Sequence, residues 1–206
     1  MGKMKTINQR KNWKFNKEEI AVWDNFFTPE CLKILKYRVM YGKYCDTDRK
    51  DYQAIDYFKN TDYVSERIAE DLRKETGLPE FQRAWSFVYS QNDGMGVSIH
   101  CDPSLFNLNV WVSSDKSVKD KSYNGLNIYK IKPPKEWPRA KWNGDARWAL
   151  EYIKSKNIEP VKIPYKSNRA ILFDGAYFHQ TNRVSMKEGI ENRRVSYTML
   201  FGSQLE

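Results

Sequence analysis

The alternation of side chains in residues 105–112, LFNLNVWV, constrains the fold more than any other feature of this chain. Successive side chains of a β-strand point to opposite faces of the sheet. Asn107 and Asn109 fall on one face, whereas every second residue from Phe106 to Val112 is apolar and falls on the other. The pattern therefore predicts a strand with one face packed on a hydrophobic layer. Its other face looks either into a polar cavity or into bulk water.

Other strand-like runs recur through the second half of the chain, separated by glycine, proline and other turn residues. They cover residues 81–90, 97–102, 125–130, 160–164, 170–173, 177–181 and 194–201. Two helices are predicted earlier, one over residues 29–41 and one from Thr61 or Asp62 to Gly77, because apolar residues recur there at helical spacing. This pattern predicts a mainly β chain with flanking helices (α+β), built as a sandwich or jelly roll.

The length of 206 residues fits a single domain that covers residues 1–206. Residues 1–80 supply an N-terminal strand and the two helices, which we expect to pack on a β core formed by residues 81–202. Residues 131–159 contain a further predicted helix at 145–156. They are too few to bury a core of their own, so we interpret them as an insertion between strands.

The cysteines indicate the compartment. Cys31, Cys45 and Cys101 are scattered and form no close pair. This predicts free thiols in a reducing environment, and hence a cytoplasmic protein. The sequence has no apolar run of membrane-spanning length and no secretory signal at its N-terminus, so we predict no membrane span.

The net charge of +9 is concentrated in two blocks, residues 1–20 and 116–141. In the second block only Asp120 and Glu136 oppose the lysines and the arginine. Such blocks suit an anionic substrate or surface, or nucleic acid. Neither block contains a nucleic-acid-binding motif, and a solvated basic surface is the simpler explanation.

The chain contains only two histidines, His100 and His179, and both lie in strand-like segments. Asp102 shares a strand face with His100, whereas Cys101 between them points the other way. Two histidines and one carboxylate on one side of a metal leave its other positions open, which is the ligand pattern of non-haem Fe(II) oxygenases. Further along, Arg194 and Ser196 share a face of the last predicted strand.

The order His-x-Asp, His, Arg-x-Ser resembles that of the Fe(II)/2-oxoglutarate-dependent oxygenases, whose fold is the cupin-like double-stranded β-helix. The resemblance covers roughly residues 81–202. The runs VSIHCD at 97–102, NLNVWV at 107–112 and ENRRVSYTMLFG at 191–202 are similar to small stand-alone bacterial and phage members. The Arg-x-Ser ending is more similar to the phytanoyl-CoA hydroxylase-like branch than to the prolyl hydroxylase-like branch, which usually has a lysine there.

This resemblance implies roles for individual residues. His100, Asp102 and His179 would bind Fe(II), and as the metal ligands they would form the catalytic centre. Arg194 would hold the distal carboxylate of the cosubstrate 2-oxoglutarate by a two-pronged contact, with the Ser196 hydroxyl beside it. Dioxygen would complete the reaction, which hydroxylates a substrate with release of succinate and carbon dioxide.

Several residues compete for roles near this centre. Arg193 and Arg194 point to opposite faces of the strand, and Ser196 shares the face of Arg194, so we expect Arg194 to be the cosubstrate clamp. Arg183 lies near a turn and is a weaker candidate. Asn107 and Asn109 are candidates for contact with the cosubstrate or the substrate. Tyr89 and Trp111 are candidates for the substrate pocket, although aromatic strand residues often belong to the core.

Three alternative functions remain open from the sequence. The same two histidines and carboxylate could hold zinc in a hydrolase. Cys101 and His179 could act as nucleophile and base, although strand parity points Cys101 away from the site. The chain could also be a non-enzymatic, basic, nucleic-acid-binding jelly roll. The substrate is not indicated, and a small metabolite, a protein side chain and a nucleobase are all compatible with the sequence.

Overall fold

The structure, a computed structural model, describes residues 4–10, 13, 15–41, 47–48, 52–56, 63–89 and 93–204. Cys45 and the predicted helix start at Thr61 or Asp62 lie outside these residues. Cys31 and Cys101 are buried, and neither forms a disulfide among the described residues.

The three predicted helices are present, and the structure adds one short helix, α3. They are α1 (Pro29–Tyr41), α2 (Tyr63–Thr76), α3 (Arg139–Asn143) and α4 (Ala146–Ser155). None of the described helices has the length and apolar character needed to cross a membrane. The described strands are β1 (Ala21–Trp23), β2 (Thr47–Asp48), β3 (Tyr52–Asp56), β4 (Phe81–Tyr89), β5 (Asp93–Gly94), β6 (Ser104–Trp111), β7 (Leu126–Tyr129), β8 (Val161–Ile163), β9 (Ala170–Asp174), β10 (Phe178–Thr181), β11 (Val184–Ser185) and β12 (Val195–Ser203).

The described strands form two main antiparallel sheets. The larger sheet has seven strands in the order β1-β9-β6-β12-β4-β3-β2. The smaller sheet has the order β10-β7-β8, and β11 pairs separately with β5. The architecture is therefore the predicted jelly roll with flanking helices. One prediction was too long: of residues 97–102 only His100 forms a β-bridge, to His179.

The outer face of the larger sheet carries the main hydrophobic core. Leu108 and Val110 of β6 are fully buried there, together with Leu35 of α1 and Leu72 of α2. Asn107 and Asn109 lie on the opposite, inner face and line a cavity between the sheets. Of the two environments that the alternation of β6 allowed, the structure thus places the asparagines in a polar cavity.

Residues 131–159 lie between β7 and β8 and cover the outer side of the smaller sheet. Ala149 and Ile153 of α4 are buried against Ile99, Cys101 and Phe178. These three residues alternate with the predicted metal ligands and point the other way. The insertion therefore packs on the back of the segments that carry the ligands.

Asp24, which follows β1, is the centre of an ion-pair cluster. Its carboxylate accepts from Arg169 Nε at 2.6 Å and from Lys166 Nζ at 2.7 Å. The hydrogen bond from Arg169 is the largest cause that lowers the pKa of Asp24 to about 2, against partial burial. A lowered carboxyl pKa stabilises the fold above the unfolded value of 3.8, and the contribution is lost as the pH falls toward 2.

We expect Asp24→Asn to lower the free energy of unfolding at pH 7 by about 1 kcal/mol, discounted because a third of the carboxylate is exposed. Chemical denaturation at several pH values measures it. The variant should also lose less stability than the wild type between pH 4 and pH 2. Parallel curves for the two proteins in that range would contradict this account.

Candidate active site

His100 and His179 face each other in a single antiparallel bridge. The backbone N–H of His100 donates to the His179 carbonyl at 3.0 Å, and the reverse bond measures 2.8 Å. The Asp102 N–H donates to the carbonyl of Gly175 at 2.8 Å. These bonds join the two ligand-bearing segments, and one ligand atom from each of His100, Asp102 and His179 lies within 4.8 Å of the others.

The hydrogen bonds of both imidazoles fix which nitrogen faces the site. His100 Nδ1 lies 2.8 Å from the carbonyl oxygen of Ser98, and His179 Nδ1 lies 2.9 Å from that of Tyr177. A carbonyl oxygen can only accept, so each Nδ1 carries the proton and each Nε2 keeps its lone pair. Such outer hydrogen bonds are typical of histidines that bind metals.

Electrostatics at the centre favour a metal as the missing partner. Burial is the main cause that raises the pKa of Asp102, although the charge of His100 and a hydrogen bond from Asn107 oppose it. Burial also lowers the pKa of His179 well below its ordinary value, so its imidazole is neutral. A buried carboxylate beside the neutral imidazole of His179 is costly without a cation, and a divalent metal would supply the charge.

The inner face of the sandwich encloses an open cavity of about 320 Å³ beside these residues. His100, Asp102 and His179 all belong to its lining. The other polar lining residues are Asn107, Asn109, Thr181, Ser196 and Thr198, and the aromatic ones are Trp85 and Phe87.

Arg194 immediately precedes β12 and is 1% exposed. Its Nε donates to the carbonyl of Asn124 at 2.9 Å, and its guanidinium lies over the rings of Tyr89 and Trp111 at 4.7 and 5.8 Å. Within the described part of the chain, its Nη1 is buried without a hydrogen-bond partner. Among the described residues no carboxylate lies within ion-pair distance of Arg194, so its charge is buried and uncompensated.

Arg194 does not itself belong to the lining of the cavity, but it adjoins it. Ser196, two residues further on the same strand face, lines the cavity. Thr181, on the lining, is hydrogen-bonded to the Tyr89 hydroxyl at 2.8 Å. Tyr89 and Trp111, which we predicted for the substrate pocket, contact the guanidinium instead and are absent from the cavity lining.

The competing residues take other positions. Arg193 is only half-buried, and its carbonyl accepts from the Ser113 hydroxyl. Arg183 is exposed and pairs with Asp93 at 3.0 Å. Cys101 points away from the cavity into the apolar cluster under the insertion, and burial is the main cause that raises its pKa. A thiol in that environment is a poor nucleophile.

Two features of the site had no clear sequence signal. The amide nitrogen of Asn107 donates to Asp102 Oδ2, so this asparagine supports a metal ligand directly. Helix α3 also contacts the ligand segment: the Cys101 N–H donates to the Trp142 carbonyl at 3.1 Å, and Asn143 Nδ2 donates to the Cys101 carbonyl at 3.0 Å. Trp85, Phe87 and Thr198 of the lining were not predicted either, although Trp85 and Phe87 share strand parity with the candidate Tyr89, and Thr198 shares it with Ser196.

Comparison with models of known protein families and with curated proteins finds no match. Solved structures do match. The epimerase SnoN in complex with Fe3+, alpha ketoglutarate and nogalamycin RO has a TM-score of 0.66 at 10% identity, over 91% of this chain and 80% of that one. HygX from Streptomyces hygroscopicus, with nickel and 2-oxoglutarate bound, has a TM-score of 0.58 at 12% identity, over 90% and 83%. EctD from S. alaskensis, in its apoform, has a TM-score of 0.57 at 13% identity, over 91% and 74%.

At such low identities the matches establish the fold. The resemblance that the sequence indicated, to the fold of the Fe(II)/2-oxoglutarate-dependent oxygenases, is confirmed at that level. Residue roles in this chain have to be argued from its own geometry.

Proposed function

We propose that this chain is a non-haem Fe(II)- and 2-oxoglutarate-dependent dioxygenase that hydroxylates a small polar substrate or a single side chain. The observation that carries the proposal is the inner face of the sandwich. Two histidines and a carboxylate line the cavity, and Arg194, whose buried Nη1 has no hydrogen-bond partner among the described residues, shares a strand face with the lining residue Ser196.

The donor set fits Fe(II). Two neutral imidazole nitrogens and one carboxylate oxygen are the donors that this ion accepts, and they come from one side, which leaves positions for other ligands. The Nδ1 bonds to Ser98 and Tyr177 orient the rings before any metal arrives. The hydrogen bond from the Asn107 amide nitrogen likewise orients the carboxylate of Asp102. His100, Asp102 and His179 would thus hold the iron.

Arg194 fits one carboxylate of 2-oxoglutarate. Its Nη1 is a buried donor without a partner, and burying an unpaired cation is costly unless an anion joins it. The contact of the guanidinium with Tyr89 and Trp111 fixes its plane, which suits a two-pronged contact with a carboxylate. Ser196 would add its hydroxyl on the same face. HygX, of similar fold, was solved with 2-oxoglutarate bound.

Bound iron and 2-oxoglutarate would together activate dioxygen, with release of succinate and carbon dioxide and oxidation of the substrate. The residues of this chain have more limited tasks. They orient the metal ligands, neutralise the cosubstrate carboxylate and keep the centre away from bulk water. The fold alone does not fix the outcome, since SnoN is an epimerase. We propose hydroxylation, and a product that gains one oxygen atom would distinguish it from epimerisation.

Anaerobic addition of Fe(II) and 2-oxoglutarate to the purified protein should produce the weak visible absorption of a metal–2-oxoglutarate complex. The absorption should need both additions and should disappear on chelation. On exposure to oxygen, the protein should then convert 2-oxoglutarate to succinate. A protein that binds zinc in preference to iron, and that releases no succinate under oxygen, would support the hydrolase alternative and contradict this proposal.

A further inference from the structure

Two buried acceptors on β6 have no partner. The side-chain oxygens Oδ1 of Asn107 and Asn109 lack a hydrogen bond in the part of the chain that the structure describes. The two residues are 0% and 9% exposed, and both line the cavity. Leaving a buried acceptor unsatisfied costs about 1–3 kcal/mol, so two of them on one wall call for a ligand that donates.

The orientation of the Asn107 amide is set by its neighbour. Its nitrogen donates to Asp102 Oδ2, and an ionised carboxylate can only accept. The Asn107 amide therefore has to present its nitrogen to Asp102. Its oxygen, Oδ1, is left to accept a hydrogen bond from a ligand. In the structure the Asn109 nitrogen is also engaged, because Nδ2 donates to the Thr198 hydroxyl at 3.1 Å and Oδ1 is the atom left over.

The cosubstrate cannot satisfy these oxygens. Ionised 2-oxoglutarate has two carboxylates and a ketone, which all accept hydrogen bonds and donate none. The donors of the cavity wall, such as the indole N–H of Trp85, could serve either the cosubstrate or the substrate, so they do not discriminate between them. The two asparagine oxygens do discriminate, because only a ligand with N–H or O–H groups matches them.

We propose that Asn107 and Asn109 recognise hydrogen-bond donors of the substrate, and that the substrate is a small polar molecule or side chain with at least two hydroxyl or N–H groups. This inference rests on the proposed function and assigns the substrate class of the same site. Positions two apart on a strand lie roughly 7 Å apart, which sets the spacing of the two donors. Asn107 contacts the metal ligand Asp102, so the donor that it binds lies near the iron.

The test uses the anaerobic protein loaded with Fe(II) and 2-oxoglutarate, and it follows the visible absorption as compounds are added. The probes are monosaccharides, amino acids and nucleosides, each paired with its O- or N-methylated counterpart. We expect the compounds that perturb the absorption to be donor-bearing ones, and methylation of a recognised donor to weaken their binding at least ten-fold.

Asn109→Leu removes the acceptor while it keeps a side chain of similar size. In this variant the binding of the recognised compound should weaken at least ten-fold, and the preference over its methylated counterpart should vanish. Asn127→Leu is the matched control. It makes the same change on β7, where Asn127 alternates with the cavity residue Leu126 and is absent from the lining, so the preference should persist.

The inference is overturned if Asn109→Leu leaves the preference unchanged, which would mean that the asparagine oxygen faces only water. It is also overturned if no donor-bearing compound perturbs the absorption, or if methylated compounds bind equally well. Failure of the proposed function would look different. In that case the wild type would show no visible absorption with Fe(II) and 2-oxoglutarate, before any probe is added.

Discussion

Asp102→Ala should abolish iron-dependent release of succinate and weaken Fe(II) binding by more than about 100-fold. Loss of a residue that merely supports a metal ligand typically costs 10- to 100-fold in affinity, and Asp102 is the only carboxylate of the described metal-binding cluster. Two neutral imidazoles would remain, without the negative charge that balances the metal. Titration with Fe(II) under nitrogen measures the affinity, and a coupled succinate assay measures turnover.

The unloaded Asp102→Ala protein should nevertheless be at least as stable as the unloaded wild type. Burial raises the pKa of Asp102, which means that the folded state opposes its negative charge. Fe(II) should therefore raise the melting temperature of the wild type and leave that of the variant unchanged. Cys101→Ala is the neighbouring control. Its side chain points into the apolar cluster, so the variant should bind iron normally. Equal iron binding by wild type and Asp102→Ala would remove Asp102 from the centre.

The side-chain parity of this region could be predicted from the sequence because it depends on local geometry alone. An extended backbone forces His100 and Asp102 to one side and Cys101 to the other, even though only His100 is paired in a bridge. The alternation along β6 depends on the same local geometry, and it correctly placed Asn107 and Leu108 on opposite faces of the sheet. Arg194 was preferred over Arg193 by the same argument, and the structure buries Arg194.

The contacts that complete the site join segments distant in the chain, and periodicity carries no information about them. Nothing in residues 139–143 indicates that the Trp142 carbonyl and the Asn143 side chain bond to the backbone of Cys101, and the sequence did not predict α3. Tyr89 was expected in the substrate pocket because it is an aromatic strand residue. Only the packed structure shows its ring against the Arg194 guanidinium.

Arg194→Met should raise the concentration of 2-oxoglutarate needed for half-maximal turnover by about 30- to 1,000-fold. Truncating one partner of a buried charge pair costs about 2–5 kcal/mol, and the part of that range from about 2 to 4 kcal/mol corresponds to this loss of affinity. Methionine keeps much of the length of the side chain and its contact with Tyr89 and Trp111, but it provides neither charge nor donors. Arg194→Lys should give an intermediate loss, because it keeps the charge without the planar fork.

Stability should respond to Arg194→Met differently from cosubstrate affinity. The variant loses the bond from Nε to the Asn124 carbonyl, which costs about 1 kcal/mol, but it also removes a buried, unpaired charge. We therefore expect the free energy of unfolding without ligand to change by less than about 2 kcal/mol. In the wild type, 2-oxoglutarate with iron should protect against denaturation, and this protection should disappear in the variant.

Arg193→Met is the matched control, because it makes the same substitution and removes the same positive charge at the neighbouring position. Arg193 is half-buried, and strand parity directs its side chain away from the face that carries Arg194 and Ser196. The requirement for 2-oxoglutarate should therefore stay within about two-fold of the wild type, a change worth only about 0.4 kcal/mol. Equal losses in the two variants would mean that general positive charge attracts the cosubstrate. A large loss in Arg194→Met alone means that one oriented guanidinium binds its carboxylate.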